Sequence, residues 1–306
     1  MSPSATDMMQ SSPSLKLDRL AIEESGPNPE NLALAVLAQL GPVSKPIPII
    51  AIAKALDIIE IRYEELESFE GALLTTAERD VGSILINANP NNGPQRQRFT
   101  LAHELGHFLN PWHTPHNEAG FMCAKADIKF EGPHIKPGLT RHVMQEREAN
   151  RFAIELLAPR QRIIALSNDD ASVRDVLRIS SELELSKEAA ARRYAELHLG
   201  KIAVVFTLNG DVKYSTTSPA CPRLAVRKGA RLLTSLTHQP RQISHEEIEV
   251  DLLAIDGTAK SAFADAETYH QESGHAFTVL NFENERDEED EDGTEDTFDR
   301  FLRNDR

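Results

Sequence analysis

The chain has little of several things. Two cysteines in 306 residues, Cys123 and Cys221, are too few for a disulfide framework. With one tryptophan and 6% aromatic residues, its core must be built largely from aliphatic side chains. No apolar run approaches the roughly 18 residues that would mark a membrane span. The stretch "LALAVLAQL" at 32–40 is too short, and no basic segment precedes it. The N-terminal "MSPSATDMMQSSPS" lacks the charged and apolar regions of a signal peptide, so a soluble, cytoplasmic protein with no membrane partner is expected. Basic residues are outnumbered, 33 Lys and Arg against 48 Asp and Glu, for a formal net charge of −15. Between Glu283 and Asp299 a run of acidic residues faces the single Arg286 and carries about ten of those negative charges. The remaining body is only mildly acidic and has no electrostatic footprint for nucleic acid.

Composition otherwise fits an ordinary globular protein, 40% hydrophobic, with room for two or three small domains. Residues 1–27, rich in Ser and Pro, read as a disordered N-terminus. "PENLALAVLAQLG" reads as a helix ended by Gly41, and "IIAIAKALD" as a second, short one. "IIEIRYEEL" and "GSILINA" read as strands. A helix follows from Gln95 to Leu109, with Pro94 at its start and Asn110-Pro111 at its end. The Pro-, Gly- and His-containing stretch 111–138 is a long irregular connection, of the kind that usually carries function. A further helix covers about 140–158, and 171–199 reads as two helices joined near Leu185-Ser186. Residues 201–280 shift to short strands separated by turn residues.

The chemistry concentrates in "RQRFTLAHELGHFLNPWH", residues 96–113. His103 and His107, four apart on a helix, share one face and can reach one ion together. Glu104, one position on, can point at the ion's open position without binding it, which is the place of a general base acting on an attacking water. The motif is flanked by uncharged residues, as a helix buried against a core requires. A catalytic zinc needs a third protein ligand. His113, six after His107, sits where one class of zinc peptidases places it, but Asn110 stands where that class has glycine, and no convincing methionine turn follows. The alternative lies in "QEREANRFAIELLAP", where Ala149, Phe152, Ala153, Leu156 and Leu157 form a buried stripe. Glu146 and Asn150 lie on its side, whereas Glu148 points away. A carboxylate there is costly to bury unless something positive holds it. Glu146 is therefore the favoured third ligand over His113 and Glu148, with Asn150 able to hydrogen-bond a ligand's outer edge.

With "RQRFTLAHELGHFL" followed some thirty residues later by "EREANRFAIELLAP", and the strand-like "GSILIN" before them, the sequence resembles the ImmA/IrrE family of zinc metallopeptidases. The resemblance covers about residues 30–160. It implies an α+β fold with a gluzincin-like peptidase domain, often followed by a small helical bundle and in some members by an α/β sensor-like domain. It also implies His103, His107 and Glu146 as zinc ligands, Glu104 as base, and a helix-turn-helix repressor as the protein substrate, cleaved to release stress-response or mobile-element genes. The expected layout is a disordered N-terminus at 1–27, the zinc peptidase domain at 28–165, a helical, helix-turn-helix-like segment at 166–199, a small α/β domain at 200–282 and an acidic disordered tail at 283–306.

Four more histidines, His113, His116, His134 and His142, crowd the site in sequence. One of them could stabilise the oxyanion of the tetrahedral intermediate, although each by itself reads as an exposed loop histidine. Cys123 in "GFMCAKAD" could sit close to the zinc as a redox or cysteine switch, but its ordinary reading is a partly buried structural thiol. The segment 171–199 has mixed charges and no basic reading face, so it is expected to dock a protein, either the substrate repressor or the peptidase domain, rather than DNA. Asp211, Lys213, His270 and His275 show no ligand constellation. The strand around Ile84–Ile86 is expected to bind substrate as an added β-strand. The overall expectation is a Zn2+-dependent site-specific endopeptidase acting on a regulator. The alternative is a non-catalytic zinc-containing regulator or a toxin-antitoxin-type binding protein, against which the presence of Glu104 argues.

Overall fold

The computed structural model describes residues 15–43, 46–76, 78–115, 120–124, 140–231, 240–253 and 258–282. The acidic run falls outside them, as do His116 and His134. The chain mixes helices and sheets, and its contacts divide it into two compact units, residues 1–168 with 172–198, and residues 169–171 with 199–306. Among the described residues, no helix is long and apolar enough to cross a membrane.

The first unit opens with α1 (Arg19–Glu23), capped by the Asp18 side chain. Its Ile22 is fully buried, and Arg19 reaches Asp57 and the Asp80 carbonyl. From residue 15 on, the expectation of a disordered segment through residue 27 is corrected, because Ile22, the Arg19 contacts to Asp57 and Phe108, and Gln39 bonds to the Asp18 backbone anchor a stretch too short to show periodicity. Helix α2 (Pro29–Leu40) takes Asn28 as its cap and ends at Gly41, whose φ of 71° suits glycine. Then follow α3 (Ile49–Ala55), β1 (Ile58–Glu64), β2 (Gly71–Thr75), β3 (Gly82–Asn87), α4 (Pro94–Leu109), β4 (Phe121–Cys123) and α5 (Arg141–Leu157). The unit closes with α6 (Arg160–Leu166), α7 (Val173–Glu182) and α8 (Lys187–Leu197).

The four strands of the first unit form one sheet in the order β1-β3-β2-β4. Strand β3 runs parallel to β1 and antiparallel to β2, so both of its edges are taken. The expectation that Ile84–Ile86 accepts a substrate strand is therefore corrected: β3 is interior, and a strand can be added only at a free edge. Helix α4 packs on β2 and β3 on one side and against α5 on another. Helices α7 and α8 belong to the same unit as α4 and α5. On α8, fully buried Arg193 pairs with Glu155 of α5 and with Glu196, and donates to the Ala158 carbonyl. Ser186 caps α8, as its sequence position predicts.

Among the described residues of the second unit, six strands form one sheet in the order β6-β5-β10-β9-β8-β7. Its strands are β5 (Ile202–Leu208), β6 (Asp211–Thr217), β7 (Arg223–Leu224), β8 (Ile243–Leu253), β9 (Ala259–His270) and β10 (His275–Asn281), all paired antiparallel. Its core includes Ala203, Val205, Val212, Val250, Ala264 and Leu280. An α/β domain was expected at 200–282, whereas every regular element among its described residues is a strand. Helices are not needed to cover β8 and β9, which alternate exposed and buried residues in the pattern of a half-solvated antiparallel sheet.

Candidate metal centre

The site is built on α4. Proline at its first turn preorganises the helix, and from Phe99 to Leu109 every side chain is buried. His103, Glu104 and His107 have no exposed surface at all. Helix α5 lies close because Gly106 lines the seam: a Cβ there would fall 2.9 Å from the Phe152 ring and 3.3 Å from the Ala149 Cα. That approach brings Glu146 and Asn150, one turn apart on α5, over the two histidines. The C-terminal end of α4 is held by Arg79, whose guanidinium donates to the carbonyls of His107 at 3.1 Å and Phe108 at 3.4 Å, and to those of Asn110 and His113. These include carbonyls that a helix end leaves without partners.

Four donor atoms converge. His103 Nε2 lies 3.1 Å from His107 Nε2 and 3.2 Å from Glu146 Oε2, and His107 Nε2 lies 3.4 Å from Glu146 Oε1. Cys123 Sγ, from β4, lies 3.6 Å from His107 Nε2 and 3.9 Å from Glu146 Oε1. All pairs in the group fall within 4.8 Å. Bonds of about 2.0–2.1 Å at tetrahedral angles place nitrogen and oxygen donors about 3.3–3.4 Å apart. The histidine and carboxylate separations match that spacing.

The hydrogen bonds behind the rings assign their tautomers. His103 Nδ1 is 3.0 Å from Asn150 Oδ1, an acceptor, so Nδ1 carries the proton. His113 Nε2 is 2.8 Å from the Glu148 carboxylate and donates to it, which leaves His113 Nδ1 as the acceptor for His107 Nδ1–H at 2.9 Å. Both Nε2 lone pairs therefore face Glu146. Burial pushes His107 down to about 3 against the pull of Glu146, so its ring is neutral. Burial also lowers His113, against its hydrogen bond to Glu148. Two lone pairs and a carboxylate turned toward one another repel unless a cation lies between them. The residues fit a divalent metal.

Glu104 stands beside this group. Gly71 of β2 makes room for it, since a Cβ on Gly71 would lie 2.5 Å from Glu104 Oε1 and 2.6 Å from Thr100 Cγ2. Among the described residues, neither carboxylate oxygen has a hydrogen-bond partner. Burial pushes the Glu104 carboxyl well above its ordinary range, the proximity of the Cys123 thiol opposes this, and the Glu146 charge adds to it. The Cys123 thiol is likewise driven up, by burial first and then by Glu104 and Glu146.

The structure thus brings His103, Glu104, His107, Glu146 and Asn150 to one place. His113, expected either as a third ligand or as an exposed loop residue, is buried behind His107 and faces away from the donor group. Glu148 does point away from the cluster, yet it holds His113. His142 is half-buried, with Nδ1 3.5 Å from Glu146 Oε1. Cys123 is the residue that its ordinary reading as a structural thiol missed. Its spacing from the histidine motif carries no signal, because a sheet register places it.

Residues 57–114 match the IrrE N-terminal-like domain, Peptidase_M78, a stretch that contains His103, Glu104 and His107 and stops before Glu146. No curated protein matches the chain. A solved Mycobacterium tuberculosis transcriptional regulator is similar at a TM-score of 0.46 and 14% identity, over 85% of this chain and 80% of that one. The stretch that holds the histidine pair and the intervening glutamate of the site is thus similar to the IrrE N-terminal-like domain of the ImmA/IrrE metallopeptidases.

Proposed function

We propose that the chain is a zinc-dependent endopeptidase that cleaves a protein regulator at one or two defined bonds. The observation that carries this reading is Glu104: a buried carboxyl without a hydrogen-bond partner, set against two histidines and a glutamate whose lone pairs converge. Zinc supplies Lewis acidity, which polarises a scissile carbonyl and brings an attacking water to a pKa of about 7. His103, His107 and Glu146 would hold the ion. Asn150 and His113 fix the ring tautomers and keep both Nε2 lone pairs directed inward. Glu104 takes the proton of the attacking water and returns it to the departing amine, a task for which an elevated carboxyl is suited. The substrate class implied by the family is a helix-turn-helix repressor, which makes this a regulatory metallopeptidase.

A second reading has one observation in its favour. With Cys123 the group has four protein donors, the number typical of a structural zinc site. A purely structural site, however, has no use for a buried Glu104. The experiment that separates the two incubates the zinc-loaded chain with a purified helix-turn-helix repressor and maps products by mass spectrometry. Wild type should cut at one or two bonds, and Glu104→Gln should retain its metal and fold but lose cleavage by about a thousandfold or more. Cleavage by Glu104→Gln at the wild-type rate would remove Glu104 from the mechanism, and no cleavage by wild type would favour the structural reading.

A further inference from the structure

We infer that Cys123 is a fourth ligand of the metal, presented by a strand lying where an extended substrate would pair, so that the described fold is a closed form of the site. The inference rests on the metal-binding reading above and adds to it the ligand and the device that covers it.

The donor geometry comes first. A metal–sulfur bond of about 2.3 Å and a metal–nitrogen bond of about 2.0–2.1 Å at a tetrahedral angle separate the two atoms by about 3.5 Å. Cys123 Sγ is 3.6 Å from His107 Nε2 and 3.9 Å from Glu146 Oε1, and the residue is fully buried. A thiol that merely filled core space would not need to point at two metal-type donors.

The strand comes second. β2 lies against α4, and its Gly71 presses on the Glu104 carboxylate. One edge of β2 is paired with β3 and the other with β4, in the register Gly71↔Cys123, Ala72↔Met122 and Leu73↔Phe121. The Glu70 N–H donates to the Cys123 carbonyl at 2.9 Å. An extended peptide held by main-chain bonds beside Glu104 would use that same edge of β2. The chain's own β4 occupies it, and the residue opposite Gly71 is the cysteine.

The covering strand is seated rather than loosely laid on. Phe121 stacks on the His107 ring, with centroids 4.7 Å apart and planes at 26°. Gly120, at φ +106°, enters so close to β2 that a Cβ would stand 2.3 Å from the Leu73 carbonyl oxygen. Substrate that pairs with β2 beside Glu104, rather than with the outer edge of β4, must take the place of β4, and the same movement withdraws the thiolate from the metal and leaves its fourth position open. Closure by an internal strand would restrict cleavage to partners able to compete for the edge of β2.

The test is the absorption spectrum of the full chain loaded with Co2+, together with that of Cys123→Ala. Wild type should show an intense near-ultraviolet sulfur-to-cobalt charge-transfer band. Cys123→Ala should lose the band while keeping about one metal per chain, and Cys221→Ala should keep it. Added helix-turn-helix repressor should diminish the wild-type band, and Cys123→Ala should cleave limiting repressor several-fold faster, because the strand then closes the site without the sulfur–metal bond that favours the closed population. If wild type binds one Co2+ without the band, the inference fails and the three-ligand peptidase reading stands. If wild type binds no metal, both fail. The wild-type spectrum decides the ligand question even if Cys123→Ala does not fold.

Discussion

His113 and Glu148 act on the site from behind. Glu148 holds the His113 Nε2 proton, His113 Nδ1 accepts from His107 Nδ1, and His107 Nε2 is left free to face Glu146. Asn150 does the same for His103 in one step. Groups of this kind typically change metal affinity by about 10–100-fold when removed, whereas loss of a direct charged ligand weakens binding far more. His113→Ala should therefore lower affinity within that range, and Glu146→Ala should leave almost no zinc after dialysis. Competition with a chromophoric chelator distinguishes them, and equal zinc retention by Glu146→Ala and wild type would remove Glu146 from the ligand set. At this scale much was legible. Helical spacing joined His103 to His107, and the buried stripe of α5 singled out Glu146 and Asn150. The fate of His113 was not legible, because helical periodicity ends at Pro111 and its place depends on tertiary bonds to Arg79 and Glu148.

At the scale of elements, the site is the meeting of α4, α5 and β2. Helix α4 and the first and third strands announce themselves by period and by β-branched residues. β2 and β4 do not: "GALLT" begins with glycine, and "FMC" is three residues long. Strand formation there is decided by the partner strand rather than by local preference. α1, five residues long, escaped notice for a similar reason. Gly71 shows what β2 contributes, since its missing side chain is the space in which Glu104 rests. Gly71→Ala puts a methyl group 2.5 Å from Glu104 Oε1. The carboxylate must then shift by several tenths of an ångström or more, and a misplaced catalytic group can cost about a hundredfold in rate. Cleavage by Gly71→Ala should fall by roughly that factor with metal content unchanged. A rate equal to wild type would show that Glu104 has slack in its position.

On the scale of the whole molecule, the two units are each built around elements of their own. The first contains the sheet formed by β1 to β4, the α4–α5 pair, and α7 and α8. Arg193 ties α8 to α5 through Glu155, close to the metal helix, and a buried ion pair of this kind is costly to leave half-made. A guanidinium engaged in this way is not available to contact DNA. These contacts lead to the expectation that residues 1–198 expressed alone bind one metal and unfold in a single cooperative transition. Inductively coupled plasma analysis and a urea titration would check it, and a fragment that binds no metal would show that the second unit is needed to form the site. The change from helices to strands near residue 199 shows in the sequence as a change from helical to alternating patterns. The antiparallel pairing of the sheet beyond it was not, because short apolar runs do not reveal which strand lies beside which.

The clamp made by Arg79 has a consequence for how firmly His113 is held. One planar fork ties the end of α4 to the backbone of His113, and Arg141 at the start of α5 donates to the Trp112 carbonyl at 3.2 Å. The two anchors pin the backbone on both sides of the sequence between residues 114 and 140. The backbone at Trp112 and His113 is therefore gripped from both sides at once, so the prop behind His107 cannot drift unless one of the two guanidiniums lets go. A lysine at position 79 could not reproduce the fork, and with it would go the fixed seat of His113.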